Sequence, residues 1–393
     1  MRLSRAEQSL LTRWWFSVDH LQLLAILCLF AVGLIVSLSA SPSVADAKEL
    51  PTYYFAKRHA VFASIGLLVV LVLSLQSATE TRRTALLVFA LALAGLAVVH
   101  FLGSEANGAQ RWLRVAGLSI QPSEIAKPAF VVLSGWAFAE TRRRHDMPAF
   151  PIALAMYAVF AGFLLLQPDV GQFILISLAW GVMLFLSGIS LIWLGGMTAL
   201  GALALIGAFF TMPHVQQRLS QFMSSDIDAR SQIGQAYQSF TQGGFFGVGP
   251  GEGTIKTSLP DAHTDFIFAV IAEEYGVAIC LLLLSLYALI VLRAFLRAVA
   301  EPDLAVRFAI IGLAVLFGGQ AVINMGVNVG LFPAKGMTLP LISAGGSSML
   351  GISVTLGMLL ALTRHRRSVI ANIDNQTEPV MGLDQAAVNE ASR

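Results

Sequence analysis

Long apolar runs divide this chain almost from end to end, and no soluble fold accommodates that pattern. Runs near 20 residues suit helices crossing a hydrocarbon core about 30 Å thick. In hydrocarbon, only a helix or a closed barrel satisfies its own backbone polar groups. The 393 residues are 56% hydrophobic and 12% charged, whereas a soluble domain carries about 25% charged residues. The expected fold is therefore all-α, a polytopic integral membrane protein of about ten transmembrane helices. The spans are read as Leu21–Ala40, Val61–Leu75, Ala85–Leu102, Glu124–Ala139, Ile152–Leu166, Gln172–Leu186, Leu191–Phe210, Ile267–Leu296, Phe308–Val329 and Leu350–Leu362.

The first apolar run follows Arg2, Arg5 and Arg13, as in a secretory signal. It is long for a signal h-region and many spans follow, so an uncleaved first span is expected. Residues 1–20 are then a cytoplasmic N-terminal segment and 21–367 the membrane domain. The polar tail 368–393 lacks aromatic residues and is expected to be disordered. Cys28 and Cys280 lie inside apolar runs, which points to neither a disulfide nor a metal site. The net charge of +2 says little about partners, and no nucleic-acid partner is expected.

Orientation follows from where the arginines fall. Arg82 and Arg83, Arg142 to Arg144, Arg297 and Arg307, then Arg364, Arg366 and Arg367 all lie on the side of the N-terminus. The positive-inside rule places both termini in the cytoplasm. The one long loop, residues 211–266 between spans 7 and 8, is then extracytoplasmic. It ends in PDAHTDFIFA (Pro260–Ala269), which sets Asp265 at the boundary with the next apolar helix. A charge there is costly and calls for a reason. The segment Thr264–Ala298 that follows would make about 52 Å of helix at about 1.5 Å per residue, more than a bilayer needs. Val277–Leu296 alone could span, leaving Asp265, Glu273 and Glu274 at the outer interface or in a protein-lined cavity.

Three further polar clusters fall on the same outer side. In GAQRWLRVAGLSIQPSEIAK (Gly108–Lys127), Glu124 and Lys127 share a helix face and can pair, and Pro122 suits a helix start. Such a pair could merely tie two helices together. Arg111 and Arg114 could bind phosphate, for which a guanidinium is well shaped, and Arg114 also suits a lipid headgroup. Asp169, in QPDVGQ (Gln167–Gln172), sits where it could cap the sixth span, act functionally, or both. In AKGMTLPLISAGGSS (Ala334–Ser348), Lys335 is the only charge and Gly345-Gly346-Ser347-Ser348 allows close backbone approach, for a ligand or for helix packing. Within the long loop, GGFFGVGPGEGTIK (Gly243–Lys256) has six glycines before a lysine. It reads either as a phosphate cradle or as a flexible loop. His263 beside Asp265 is a weak metal pair. Acid, base and cation-bearing groups on one membrane face suit a pocket for a lipid-linked, phosphate-bearing substrate.

The strings GAQRW with QPSEIAK, QPDVG, PDAHTDFIFA with AEEYG, and KGMTLPLISAGGSS, in that order, resemble the SEDS family of bacterial shape, elongation, division and sporulation proteins. The likeness runs from about Leu21 to Leu362. KGMTLPLIS is closer to the division branch than to the elongation branch, where a proline usually stands at Thr338. The resemblance implies a peptidoglycan glycosyltransferase that polymerises lipid II at the outer face of the inner membrane. It implies a class B penicillin-binding protein and other divisome proteins as partners, at the septum. It assigns the family's essential aspartate to Asp265, and its other motif residues to Arg111, Glu124, Lys127 and Asp169. Gln121, Ser123, Lys256, His263, Lys335, Ser343, Gly345, Gly346 and Ser347 are the further candidates for binding or support. The family usually has tyrosine at Ala344, threonine at Gln172 and glutamate at Asp261.

The expected chemistry is inverting transfer between lipid-anchored sugars. Asp265 would take the proton of the acceptor 4-hydroxyl, a role that typically contributes about 10² to 10⁴-fold. Arg111, Lys127 or Lys256 would stabilise the leaving pyrophosphate, with Mg²⁺ or Mn²⁺ as the candidate cofactor. Glu124 would hold Lys127 in place. A lipid II flippase and a non-catalytic scaffold for a transpeptidase are the alternatives. Against the flippase, the polar clusters lie at one face and no paired broken helices appear.

Overall fold

The computed structural model of the protein describes residues 9–106, 109–115, 118–144, 146–211, 216, 231–333 and 336–365. They fall into two units, Met1–Val18 with Arg364–Arg393, and Asp19–Thr363. In the first, helix α1 (Leu10–Trp15) is capped by the Ser9 side chain, and the His365 N–H donates to Ser17 O at 2.9 Å. The tail 368–393 lies outside the described residues.

In the second unit, ten helices stand among the described residues where the ten spans are expected. They are α2 (His20–Ala47), α3 (Tyr54–Ser74), α4 (Ala78–Leu102), α5 (Pro122–Arg143), α6 (Ala149–Leu166), α7 (Val170–Leu186), α8 (Leu191–Thr211), α10 (Ile267–Ala300), α11 (Leu304–Asn328) and α12 (Gly346–Thr363). Seven are long and apolar enough to cross a membrane by length and composition, and α7 is shorter. Polar caps set several starts. Ser77 and Glu80 form a capping box on α4, and Asp303 accepts the N–H groups of Ala305 and Val306 on α11. Helix α5 carries Glu124, Lys127 and Glu140, yet these and most of its other side chains are buried. It packs against α4, α6, α7, α11 and α12, so its charges face protein instead of lipid.

The all-α reading holds. To it the structure adds a small antiparallel three-stranded sheet in the connection from α4 to α5, formed by β1 (Ser104–Ala106), β2 (Ala109–Val115) and β3 (Leu118–Ile120). Its strands are too short, and β2 too irregular in polarity, for the period-2 signal to emerge. The long loop also has more order than its glycines suggest. Residues 212–215 and 217–230 lie outside the described residues. After them come helix α9 (Gln232–Gly243) and a 3-10 turn, Ile255–Thr257.

The overlong eighth segment divides as expected, and its break is at Gly276. That residue has φ 79° and ψ 174°, which removes the helical bonds across it. Glu273 O and Glu274 O lose their usual donors, the N–H groups of Val277 and Ala278. The glycine-rich loop supplies replacements. Val248 N–H donates to Glu273 O at 2.9 Å and Gly249 N–H to Glu274 O at 3.0 Å, while Val277 and Ala278 donate to Gly244 O and Phe245 O at 3.0 and 3.1 Å. A Cβ at Gly276 would lie 2.4 Å from Gly247 N and from Phe245 O. Gly276→Ala should therefore cost about 2 kcal/mol or more, from positive-φ strain and a backbone clash. Thermal unfolding of the detergent-solubilised protein would register this as a lowered midpoint, and an unchanged midpoint would contradict it.

Candidate functional site

The residues before α10 form a tight turn. Asp261, at φ 54°, accepts the N–H groups of Thr264 and Asp265 on its carbonyl at 2.9 and 3.1 Å. Aspartate is one of the few residues that tolerate that conformation. Three successive carbonyls of the turn are then held from outside. His263 O accepts from Ala344 N–H at 2.9 Å and Thr264 O from the Ser343 hydroxyl at 2.6 Å. Asp265 O accepts from Asn324 Nδ2 at 2.9 Å and Asn328 Nδ2 at 3.0 Å. The loop between α11 and α12 and one face of α11 thus grip the segment carrying Asp265.

Asp265 lines a cavity of about 530 Å³. Around it stand Asp261, His263, Glu124 and Gln121, the cations Lys48, Arg58 and Arg111, and the Gly345-Gly346 start of α12. Gly336 comes close, since a Cβ there would lie 3.6 Å from Asp265 Oδ2. The rings of Phe55 and His263 pack with centroids 4.4 Å apart and planes tilted by 50°, and Lys48 Nζ lies 5.5 Å from the Phe55 centroid. Burial pushes the His263 imidazole down to about 4, with Lys48 and Arg58 acting in the same direction and Asp261 against it. It is therefore neutral at physiological pH.

A second layer lies behind the cavity wall. Lys127 is 1% exposed and pairs with Glu124 at 3.0 Å, as its spacing predicts. It also donates to Gln172 Oε1 at 2.7 Å and Gln320 Oε1 at 3.1 Å, and Gln172 Nε2 donates to Glu124 Oε1 at 2.5 Å. The ammonium thus has two hydrogen-bond acceptors and one ionic partner, and Lys127 does not line the cavity. Asp169 caps α7 through the Gln172 N–H and accepts from Gln121 Nε2 at 3.2 Å. Burial raises its carboxyl, and Arg111, 3.8 Å away, opposes that shift. Arg111 lines the cavity but also donates to Gln167 O at 2.9 Å and to Pro168 O, so much of its guanidinium is engaged. The Ser347 hydroxyl accepts from Gln121 N–H and donates to Ser119 O, both at 3.0 Å. Ser123 is fully buried and does not line the cavity. Lys335 lies outside the described residues.

The phosphate-cradle reading of Gly243–Lys256 is corrected by its contents. The N–H groups of Thr254, Ile255 and Lys256 converge on the Glu273 carboxylate at 2.6, 2.8 and 3.2 Å. The anion in this nest is the chain's own. Lys256 Nζ is paired with Glu274, which also accepts from Ser39. It opens on a different cavity, beside Tyr53, Gly251 and Tyr275. Neither Lys127 nor Lys256 therefore faces Asp265. Lys48 and Arg58 line its cavity, and sequence reasoning misses them because they stand singly, Lys48 in the connection from α2 to α3 and Arg58 in the first turns of α3. Asn324 and Asn328 were also missed. Two amides one turn apart in an apolar helix were a legible sign.

Two outcomes are expected. Lys127→Ala leaves a buried carboxylate unpaired and should cost about 3–5 kcal/mol. Adding Glu124→Gln should restore part of the unfolding midpoint, and no recovery would show that the pairing is not the cause. For His263, the unfolded imidazole titrates near 6.5 and the folded one near 4, so the unfolded state binds more protons between those values. Stability should fall as pH drops through that window, and His263→Gln should flatten the fall in a thermal-shift series.

Comparison with known proteins places this geometry. A family model described as a cell cycle protein, of the FtsW, RodA and SpoVE type, matches residues 19–368. A protein of Caulobacter vibrioides named as a probable peptidoglycan glycosyltransferase FtsW is 40% identical over 364 residues, 92% of this chain and 93% of that one. The protein of the same name from Halomonas elongata is 36% identical, over 91% of this chain and 93% of its own. Among solved structures, a chain of a peptidoglycan synthase complex that coordinates polymerisation and crosslinking superposes with TM-score 0.71 at 28% identity, covering 89% of this chain and 98% of that one. The rod shape determining protein RodA of Thermus thermophilus superposes with TM-score 0.65 at 28% identity, covering 90% and 99%.

Proposed function

This chain belongs to the FtsW, RodA and SpoVE family of cell cycle proteins, here also called SEDS, and on that premise we propose how its cavity polymerises peptidoglycan. It is a multi-pass protein of the bacterial inner membrane and a peptidoglycan glycosyltransferase that joins lipid II units into glycan strands during septal wall synthesis. The observation that carries the mechanistic reading is the placing of the Asp265 carboxylate on one cavity wall with Lys48, Arg58 and Arg111 around the same space. The arginine distribution supports a cavity open to the outer face, with both termini in the cytoplasm.

The acceptor's 4-hydroxyl oxygen attacks the donor's anomeric carbon. Its proton passes to Asp265, the new glycosidic C–O bond forms, and the bond from C1 to the pyrophosphate oxygen breaks. A hydroxyl is a poor nucleophile at neutral pH, which is what the base corrects. Undecaprenyl pyrophosphate leaves with growing negative charge, and Arg58, Lys48 and Arg111 face it. Glu124 and Asp169 orient the wall through Lys127, Gln121 and Arg111. Mg²⁺ is commonly held by one or two carboxylates together with substrate phosphates. Asp265 and Asp261 on the cavity wall suit that pattern. Among the described residues, no group of three or more His, Cys, Asp or Glu is set to hold a metal by itself. A divalent cation would supply charge neutralisation at the pyrophosphate. A class B penicillin-binding protein and other divisome proteins are the proposed partners, at the septum.

The test is glycan-strand synthesis from lipid II by the purified chain with such a partner. Asp265→Ala should abolish polymer while the protein stays folded and monodisperse, and full activity in that variant would sink the base assignment. Arg58→Ala should lower kcat by about 10²-fold, the usual scale for a donor aimed at developing charge.

A further inference from the structure

We infer that Asn324 and Asn328 are positioning residues for the reaction, acting through the main chain of Asp265; this rests on Asp265 being the base. Both amides sit on one face of α11, one turn apart, and both are buried. Both donate from Nδ2 to the same carbonyl, Asp265 O. A single donor would satisfy a buried carbonyl; two donors converging on its two lone pairs also fix its direction. The side-chain orientation of each amide follows from its partners. Asn324 Nδ2 also donates to Met337 O at 2.6 Å and Asn328 Nδ2 to Asn324 O at 2.9 Å, all carbonyls, so the nitrogen must face them. Asn328 Oδ1 accepts the N–H of Ala269 at 3.0 Å, one of the donors that the start of α10 leaves open.

The pair thereby joins three parts of the cavity. Asn328 holds the residue bearing the carboxylate and the first turn of the helix after it. Asn324 holds that same residue and Met337, whose neighbours Gly336 and Thr338 form the opposing wall. Asn324, which itself lines the cavity, is thus a direct link between the carboxylate-bearing residue and that wall, beside the bonds from Ser343 and Ala344 to the two preceding carbonyls. Glycosyl transfer needs the carboxylate and the acceptor hydroxyl within hydrogen-bond reach at the moment of attack. An error of about 1 Å in such placement can cost about 10²-fold in rate. Two buried amides in an apolar helix are expensive. Asn324 Oδ1 has no hydrogen-bond partner among the described residues, so that cost is met only in part, and both nitrogens converge on the residue bearing the proposed base.

The experiment compares Asn324→Leu, Asn328→Leu, Asn324→Ser and Asn328→Ser with Asp265→Asn, each as the full chain with its class B partner and lipid II. The leucine variants should lose about 10 to 100-fold in kcat while KM for lipid II changes by less than about 3-fold. Amide hydrogen exchange over Phe266–Ala269 should quicken. The serine variants, which keep a shorter donor, should recover part of kcat. If the leucine variants do not fold, the serine variants decide by the same kcat and KM readings. Wild-type kcat in the folded variants, or a loss confined to KM, with Asp265→Asn inactive, overturns the positioning role alone. An active Asp265→Asn instead overturns the base reading on which it rests.

Discussion

A helix interrupted inside a packed bundle must find new partners for the backbone groups it exposes, and the exchange at Gly276 is how this protein does so. Glu273 O and Glu274 O take donors from Val248 and Gly249, while Val277 and Ala278 donate to Gly244 and Phe245. Those bonds require main chain against main chain, which is why the loop is rich in glycine. They also convert a long loop into a fixed structural element. The buried carboxylates of Glu273 and Glu274 complete the lock, one filling the amide nest of Thr254–Lys256 and the other pairing with Lys256. The stretch Ile267–Tyr275 is thereby held apart from the spanning part of α10, and Asp265 stands at its beginning.

Charge in this fold is sorted into two depths. Lys127, Lys256, Glu124 and Asp169 are buried, each beside a group of opposite charge, and a buried ion is costly without one. They tie α5, α7 and α11 together and brace the first half of α10. The cations free to meet a solvated anion, Lys48 and Arg58, are more exposed and sit at the cavity. A phosphate-bearing substrate needs the second kind. Gln172 belongs to the first, since one amide bridges Glu124 and Lys127 at once. A side chain longer than the family's usual threonine is used here as a connector between two helices.

The ten helices were legible because the length of an apolar run and the bilayer thickness are the same physical quantity. The break in the eighth was legible in outline, since Thr264–Ala298 as one helix would be longer than a span requires. Local spacing also revealed the Glu124–Lys127 pair, because three residues on a helix define one face whatever the surroundings. The sheet between α4 and α5 was not legible, as its short strands carry too few residues for a period to emerge.

The sequence by itself determined the membrane class, the order of the helices, the family, and the carboxylate at the head of α10. Each depends on local pattern or on ordered motifs along one chain. Which cations share a cavity with Asp265 was decided only by tertiary structure. Lys48 and Arg58 lie about two hundred residues away in sequence, and no spacing rule relates them to it. The same holds for the three carbonyls of His263–Asp265, whose donors come from Asn324, Asn328, Ser343 and Ala344. Hydrogen bonds between distant segments depend on how helices pack, and packing is where a motif becomes a site.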